Sequence, residues 1–155
     1  MKLQQEIKQT KPFRSLQQEA ALALLKTADL VRRHVAKVIG PHNLSLEQYN
    51  VLRILRGAGD AGMATLEVSS RMIEQTPAIT RLLDKLETKK LVRRERCPED
   101  RRQILCRITN AGLHLLAGLD DQEESANQEV FTRLSAAEVK SLIAHLDRMR
   151  EKEST

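Results

Sequence analysis

The stretch from Thr76 to Thr109 constrains this chain most, because a helical and a strand-like pattern meet there without a linker. In Thr76-Pro77-Ala78-Ile79-Thr80-Arg81-Leu82-Leu83-Asp84-Lys85-Leu86-Glu87, the residues Ile79, Leu82, Leu83 and Leu86 recur at i, i+3, i+4 and i+7. That spacing lays one apolar stripe along a helix. Thr76 is a natural N-cap, and Pro77 falls at the first helical position, where a missing N–H costs nothing. The opposite face carries Thr76, Thr80, Arg81, Asp84 and Lys85, short hydrogen-bonding groups beside long donors, which suits a DNA major groove. Next come Leu91-Val92-Arg93-Arg94-Glu95-Arg96, the turn Cys97-Pro98-Glu99-Asp100-Arg101-Arg102, and Gln103 to Ile108. Two β-prone runs around a Pro/Asp/Arg turn predict a hairpin whose tip is loaded with guanidinium groups. A probe helix followed by an arginine-tipped hairpin predicts a winged helix-turn-helix.

Charge supports that reading by its placement. Residues 76–110 hold ten Lys/Arg against five Asp/Glu, so they carry the whole formal net charge of +5, and the remainder is neutral. A solvated basic face is the bland explanation of any charge run. Here the excess coincides with the proposed reader, which favours a polyanionic partner. The aromatics, Phe13, Tyr49 and Phe131, are too few and too scattered to build a base-stacking platform, so duplex DNA is favoured over single strands or RNA. There is no signal-peptide pattern and no apolar run long enough to span a bilayer. Two cysteines outside any spaced motif fit a reducing cytoplasm.

The predicted architecture is mainly α with a small β-hairpin wing. A helix-turn-helix core at 45–109 is flanked by dimerisation helices at 1–44 and 110–155, the two ends forming one intertwined unit. Residues 1–12 are polar and give no clear element; a long helix is predicted from about Phe13 to Ile39, stopped by Gly40-Pro41. Its centre, Ala20 to Leu25, is apolar on nearly every side and therefore calls for burial against a second subunit as well as its own domain. Ser45 caps a helix from Leu46 to Arg56, with Leu46, Tyr49, Leu52 and Leu55 inward, and Gly57, Gly59 and Gly62 mark a loop. A short strand is predicted near Gly62 to Ala64. Thr65 is expected to cap a short helix reaching Ile73 with Leu66 and Val68 inward, and Glu74-Gln75 to form the turn. Beyond the wing, Thr109 caps a helix over Asn110 to Phe131, with Leu113, Leu116, Ala117, Asp120, Ala126 and Val130 as an incomplete stripe. Ser135-Ala136-Ala137-Glu138 is a capping box, starting a last helix with Val139, Leu142, Ile143, Leu146 and Met149 at helical spacing.

Four blocks in fixed order resemble the MarR family of bacterial transcription factors. They are Thr80 to Glu87, Leu91 to Arg94, Pro98 to Arg102, and Ile108-Thr109-Asn110-Ala111-Gly112; Leu46 to Leu52 extends the likeness upstream. The resemblance implies a homodimer on a palindromic operator, usually a repressor. It implies that small aromatic or phenolic effectors bind between the dimer helices and the reader, where His34, Lys37 and Tyr49 are candidates; ordinary packing and helix-surface roles are the alternative. It also implies that Asp100 braces Arg102, the wing arginine that enters the minor groove. The alternative is a hairpin-stabilising ion pair worth only ~0.2–1 kcal/mol. One departure is local: Lys90 stands where the family usually has Gly, which predicts a slightly altered exit from the probe helix.

On this reading Thr76, Ala78, Thr80 and Arg81 face base edges and the nearest phosphates, the Ala methyl suiting a thymine methyl and Arg81 forking onto guanine. Lys85 and Arg101 touch backbone. Arg93, Arg94 and Arg96 alternate along a strand, so some face DNA, with Arg94 the candidate, and some face solvent. Cys97 sits among arginines, a setting that makes a thiol reactive. It is either a redox switch at the DNA contact or an incidental surface cysteine, and Cys106 is expected inward and not opposite it. The four histidines lack zinc-site spacing, so no metal and no other cofactor is expected. No nucleophile–base pair and no Gly-rich phosphate loop argue for an enzyme. The expected function is sequence-specific binding of double-stranded DNA by a cytoplasmic homodimeric regulator, a ligand-responsive repressor. A Cys97 redox regulator, a sequence-neutral architectural protein and a protein-interaction module are the rivals.

Overall fold

The computed structural model describes residues 2–151. Seven helices and three strands run in the order α1 (Leu3–Glu6), α2 (Leu16–Ile39), α3 (Leu46–Ala58), β1 (Met63–Ala64), α4 (Thr65–Ser70), α5 (Ile79–Thr88), β2 (Val92–Arg96), β3 (Ile104–Ile108), α6 (Asn110–Phe131) and α7 (Ala136–Arg150). Met1 and the last four residues of the expected C-terminal module lie outside the described residues. The mainly helical fold with a small antiparallel sheet is the winged helix read from the sequence.

Residues 35–123 form one compact unit. Its core gathers Val51, Leu52 and Leu55 from α3, Val68 from α4, Leu83 and Leu86 from α5, Val92 and Cys106 from the hairpin, and Leu116 and Leu119 from α6. The sheet has the order β1-β3-β2, with Val92 opposite Ile108, Arg94 opposite Cys106 and Arg96 opposite Ile104. β1 adds a short third strand through Met63 opposite Cys106. Gly62 sits at φ +70°, and a Cβ there would lie 2.7 Å from Arg107 Cγ and 2.9 Å from the Cys106 carbonyl, so only glycine lets β1 approach β3.

Local capping explains most boundaries. Ser45 accepts the Gln48 N–H at 3.1 Å while the Gln48 side chain accepts the Ser45 N–H at 3.2 Å, a full capping box that starts α3. The Thr109 hydroxyl accepts the Gly112 N–H at 3.1 Å and donates to the Lys90 carbonyl at 2.8 Å, joining the start of α6 to the base of the wing. Ser135 and Glu138 form the capping box of α7.

Several expectations need correcting. Thr76 does not cap the probe helix and Pro77 is not its first residue, because α5 starts at Ile79 with Ala78 in the capping position. The Thr76 hydroxyl instead accepts the Ala78 N–H at 3.3 Å, closing a turn before the helix. Thr65 is the first residue of α4 and not its cap, and its hydroxyl lies 3.6 Å from Cys106 Sγ. α4 also ends at Ser70, short of Ile73. Leu66 is 84% exposed while Val68 is buried, as two residues apart on a helix must point to different sides. On α6 Leu116 and Ala126 of the expected stripe are buried, but Leu113, Ala117 and Asp120 are exposed and Leu119, outside that stripe, is buried, so the expected face holds only in part. Gly57 lies inside α3, and the turn falls on Gly59 to Ala61.

Lys90 corrects the last expectation. It adopts φ +61°, the left-handed conformation that a glycine usually takes. Its N–H reaches the Glu87 carbonyl at 2.9 Å and that of Leu91 reaches Leu86 at 3.0 Å, a complete Schellman ending. The exit from α5 is therefore unaltered; lysine bears the backbone strain instead.

The second unit combines the residues up to His34 with those from Glu124 onward. Within it Lys26 pairs with Glu6 at 3.7 Å and Arg33 with Asp29 at 3.0 Å. Ala126 is its only buried residue among those described, and α7 buries none. Leu25, Ile143 and Met149 are exposed by 65%, 53% and 68%.

Candidate nucleic-acid interface

The reader is α4, the turn after it and α5. The Asn50 side chain on α3 accepts the Ile73 N–H at 2.9 Å and pins that turn to the core. Sequence reasoning passed over Asn50; its signal was a poor helix former placed mid-helix, where a side-chain acceptor has a use. At the other end of α5, the Lys89 ammonium donates to Gln48 Oε1 at 3.0 Å and to the Asn43 carbonyl. Core packing of Ile79, Leu83 and Leu86 fixes the roll of the helix, and leaves Thr80, Arg81, Asp84 and Lys85 exposed. Thr80, Arg81 and Lys85 make no side-chain hydrogen bond or ion pair among the described residues. Thr76 and Ala78 are half-buried in the turn ahead of them.

The hairpin has a tied base and an open tip. At its base Arg107 donates to the Asp60 carbonyl at 2.8 Å and pairs with Glu95, fastening the sheet to the turn after α3. At its tip Cys97 and Gln103 close the strands, with the Cys97 N–H 2.9 Å from the Gln103 carbonyl. The Asp100 carboxylate accepts the Arg102 backbone N–H at 3.0 Å, and the Asp100 carbonyl accepts the Gln103 N–H at 2.9 Å. Asp100 thus holds the turn through the main chain. The guanidinium groups of Arg101 and Arg102 are exposed and without a partner among the described residues, while the Arg101 carbonyl receives Arg96 Nη1 at 3.4 Å.

Arg94 is placed differently from the other expected contacts. It lies on β2, but its guanidinium turns back onto the probe helix, where it pairs with Asp84 and, at 3.2 Å, with Glu87. Its own N–H reaches Glu87 Oε2 at 3.0 Å. The hydrogen bond from Arg94 holds the Glu87 carboxyl below the ordinary glutamate value.

The remaining candidates divide between the two units. His34 is half-buried, with Nδ1 3.0 Å from the Leu30 carbonyl and Nε2 3.8 Å from the Glu129 carboxylate. Lys37 is exposed on the last turns of α2. Tyr49 is buried against α3's own neighbours, with the Arg53 guanidinium 5.8 Å from its ring centroid. Burial first, and then the charge of Glu123, pushes the Tyr49 phenol up from its ordinary value. Cys97 is half-buried with a free thiol. Cys106 is also free and lies buried opposite Arg94, not Cys97. Among the described residues no three His, Cys, Asp or Glu side chains gather as a metal site, and no helix is long and apolar enough to cross a membrane.

Comparison with known proteins follows the same outline. The sequence model of the MarR family matches residues 44–104, from the end of the α2–α3 turn into the wing. A MarR transcription factor from Planctomyces limnophilus is 38% identical, covers 88% of this chain and 98% of its own, and superposes with a TM-score of 0.68. The transcriptional regulator MhqR of Bacillus subtilis is 29% identical over 77% of this chain and 81% of its own. A cysteine-to-serine mutant of MarR from E. coli, whose structure was solved with operator DNA, is 25% identical, covers 83% of this chain and 91% of its own, and has a TM-score of 0.77.

Proposed function

Because the chain belongs to the MarR family of DNA-binding transcriptional regulators, we propose that it is a homodimeric repressor that occupies a palindromic operator and responds to a small aromatic or phenolic effector. The observation that carries this reading is the division of the basic groups. Thr80, Arg81 and Lys85 on the probe helix, and Arg101 and Arg102 at the wing tip, are exposed and without internal partners among the described residues. Of the arginines nearer the hairpin base, Arg94 and Arg107 are engaged with carboxylates, while Arg93, opposite Arg107 in the ladder, is exposed and without a side-chain partner among the described residues. Unpartnered donors on a helix face and a hairpin tip suit a groove and the phosphates beside it.

Dimerisation is supported by the second unit, which holds apolar side chains and almost no core. Helices that bury so little of their own chain gain stability by pairing with a twin. We assign 45–109 to DNA binding and the regions before and after it to one intertwined dimer module, whose inner ends at 35–44 and 110–123 also complete the reader's core through Ile39, Leu44, Leu116 and Leu119. In such a dimer the two probe helices would sit about one helical turn apart, ~34 Å or slightly less. An effector acts by changing that spacing or the freedom of the wings. Repression follows as the simplest sign, since occupancy alone blocks a promoter. The site of action is then the cytoplasm, which suits two free thiols.

The test is a fluorescence titration against the duplex upstream of the chain's own gene, with a scrambled duplex of equal length, at several salt concentrations. A repressor binds the first more tightly and saturates at one dimer per site. Equal and steeply salt-dependent binding to both indicates an architectural protein. Arg102→Ala is expected to weaken operator binding by about 1–3 kcal/mol while leaving a folded dimer. Unchanged binding removes the wing from the interface.

A further inference from the structure

We infer that Arg94 is a positioning residue for DNA reading: it locks the hairpin to the probe helix by forking onto Asp84 and Glu87, and makes no phosphate contact itself. The inference deepens the operator-binding proposal and rests on it.

Three observations converge. Arg94 reaches both carboxylates with its guanidinium, and its backbone N–H adds a further bond to Glu87 at 3.0 Å. Side chain and main chain of one residue therefore hold β2 against one face of α5. Second, the Arg94 side chain is only 20% exposed, against 57% for Asp84 and 43% for Glu87, so the cation is the covered partner and the acids form the outer rim. Third, Arg94 is flanked by rigid neighbours: Val92 two residues earlier is in the core, and the opposing Cys106 is fully buried.

The acids supply the physical argument. Carboxylates on a DNA-facing helix repel a polyanion, so alone they weaken binding. Paired with Arg94, they convert two independent readers into one body. A wing free to swing relative to the helix loses freedom on docking both to adjacent grooves, and that loss subtracts from affinity. A wing already fixed avoids it. The free arginines at the tip then arrive in register with Arg81 and Lys85.

This arrangement makes an unusual sign prediction. Removing negative charge from a DNA-binding face ordinarily tightens binding. Here Asp84→Asn and Glu87→Gln remove negative charge and also leave Arg94 one neutral amide oxygen on each residue in place of a charged pair, which breaks the ion pairs and the two-oxygen grip on Glu87, so operator binding weakens.

The experiment titrates wild type, Arg94→Gln, Arg94→Lys, Glu87→Gln, Asp84→Asn/Glu87→Gln and the triple variant against the operator duplex and its scramble, across a salt series. Arg94→Gln is expected to lose roughly tenfold on the operator, with little loss on the scramble and an unchanged salt slope. The double carboxamide variant is expected to lose as much, and the triple variant no more, since one interaction is lost only once. Arg94→Lys, which keeps the charge but not the fork, is expected between wild type and Arg94→Gln. Circular dichroism and thermal melts identify variants that have merely lost stability. A role in fold stability alone lowers the melting temperature but leaves the operator-to-scramble ratio of the folded protein at its wild-type value, and that result overturns the proposal. So does a phosphate contact, which would lower the salt slope of Arg94→Gln by about 0.9 and make the carboxamide variants bind more tightly. If Arg94→Gln fails to fold, the sign of the carboxamide variants still decides. A wild type without preference for its operator overturns the repressor reading itself, and this inference with it.

Discussion

The two units of the chain use the same raw material, helices with apolar stripes, and reach opposite states. In residues 35–123 the stripes of α3, α5 and α6 meet a small sheet, and Leu52, Leu55, Leu83, Leu86 and Leu116 are fully buried. In the other unit α7 carries an equally regular stripe and buries none of it. Periodicity therefore identifies a face that needs covering, without saying what covers it. The hairpin repeats the contrast on a smaller scale, with a base fastened by Arg94, Arg107 and Thr109 and a tip whose arginines are unpartnered among the described residues.

Leu83→Ala tests the first half of that contrast and carries the largest effect. Leu83 is fully buried, and truncating such a leucine costs about 2–5 kcal/mol through lost burial and the cavity left behind. Urea unfolding followed by circular dichroism reads it directly. A loss under about 1 kcal/mol would mean that this core is far looser than its burial implies. The other unit should respond in a different currency. Leu25→Asp and Ile143→Asp, at residues exposed in the single chain, are expected to weaken dimerisation rather than the fold of the reader. Each leucine-sized side chain buried at an interface is worth about 1.5–3 kcal/mol, so the dissociation constant should rise roughly ten- to a hundredfold per site. Sedimentation velocity measures it, and an unchanged dimer would place the interface elsewhere.

Gly112→Ala sharpens the division between wing base and wing tip. A Cβ at Gly112 would lie 2.6 Å from both the Leu91 carbonyl oxygen and Ile108 Cγ1. Neither the backbone nor the core-packed isoleucine gives way easily, so overpacking should cost about 1–3 kcal/mol. The same measurement on Arg102→Ala should stay within about 0.5 kcal/mol of wild type, since the tip side chain supports nothing in the fold. Equal losses at the two positions would erase the distinction.

How much of this was legible in the sequence depends on the range of the force involved. Capping is local, and Ser45, Thr109 and Ser135 were readable because each hydroxyl finds its partner three residues on. The hairpin was readable because a Pro/Asp turn sits between two β-prone runs. Thr76 misled because a threonine before a proline also satisfies a plain turn, and only the packing of Ile79 decides where the helix begins. Leu66 and Leu119 misled because a short or weakly striped helix leaves its roll to tertiary contacts. Lys90 shows the reverse: the surrounding Schellman bonds impose a left-handed residue whatever the side chain. At the interface, residue types pointed to DNA, but the division of labour among the arginines did not show. Arg94 and Arg102 read alike as letters, and differ only because a strand register sets one beside Asp84 and Glu87.

The smallest expected effect compares the two units through acid. Glu87 is held below its ordinary value of 4.5 by the hydrogen bond from Arg94, and Glu138 is held below it by the Ser135 backbone N–H at the start of α7. A carboxyl whose folded value is depressed binds its proton less readily when folded than when unfolded. Its contribution is therefore fully present above about pH 4.5 and fades as the pH falls through the lower folded value. Urea midpoints measured from pH 6 down to pH 3 should fall for wild type and fall less for Glu87→Gln and for Glu138→Gln, each of which has already lost its share. Both groups are solvent-exposed, so screening keeps the differences small, and added salt should shrink them further. The two variants should part in DNA binding at neutral pH. Glu87→Gln weakens the hold of the wing on the probe helix, whereas Glu138→Gln touches only a helix start in the other unit. An operator affinity lowered by Glu138→Gln as much as by Glu87→Gln would show that α7 and the wing are coupled, and that the two units do not act separately.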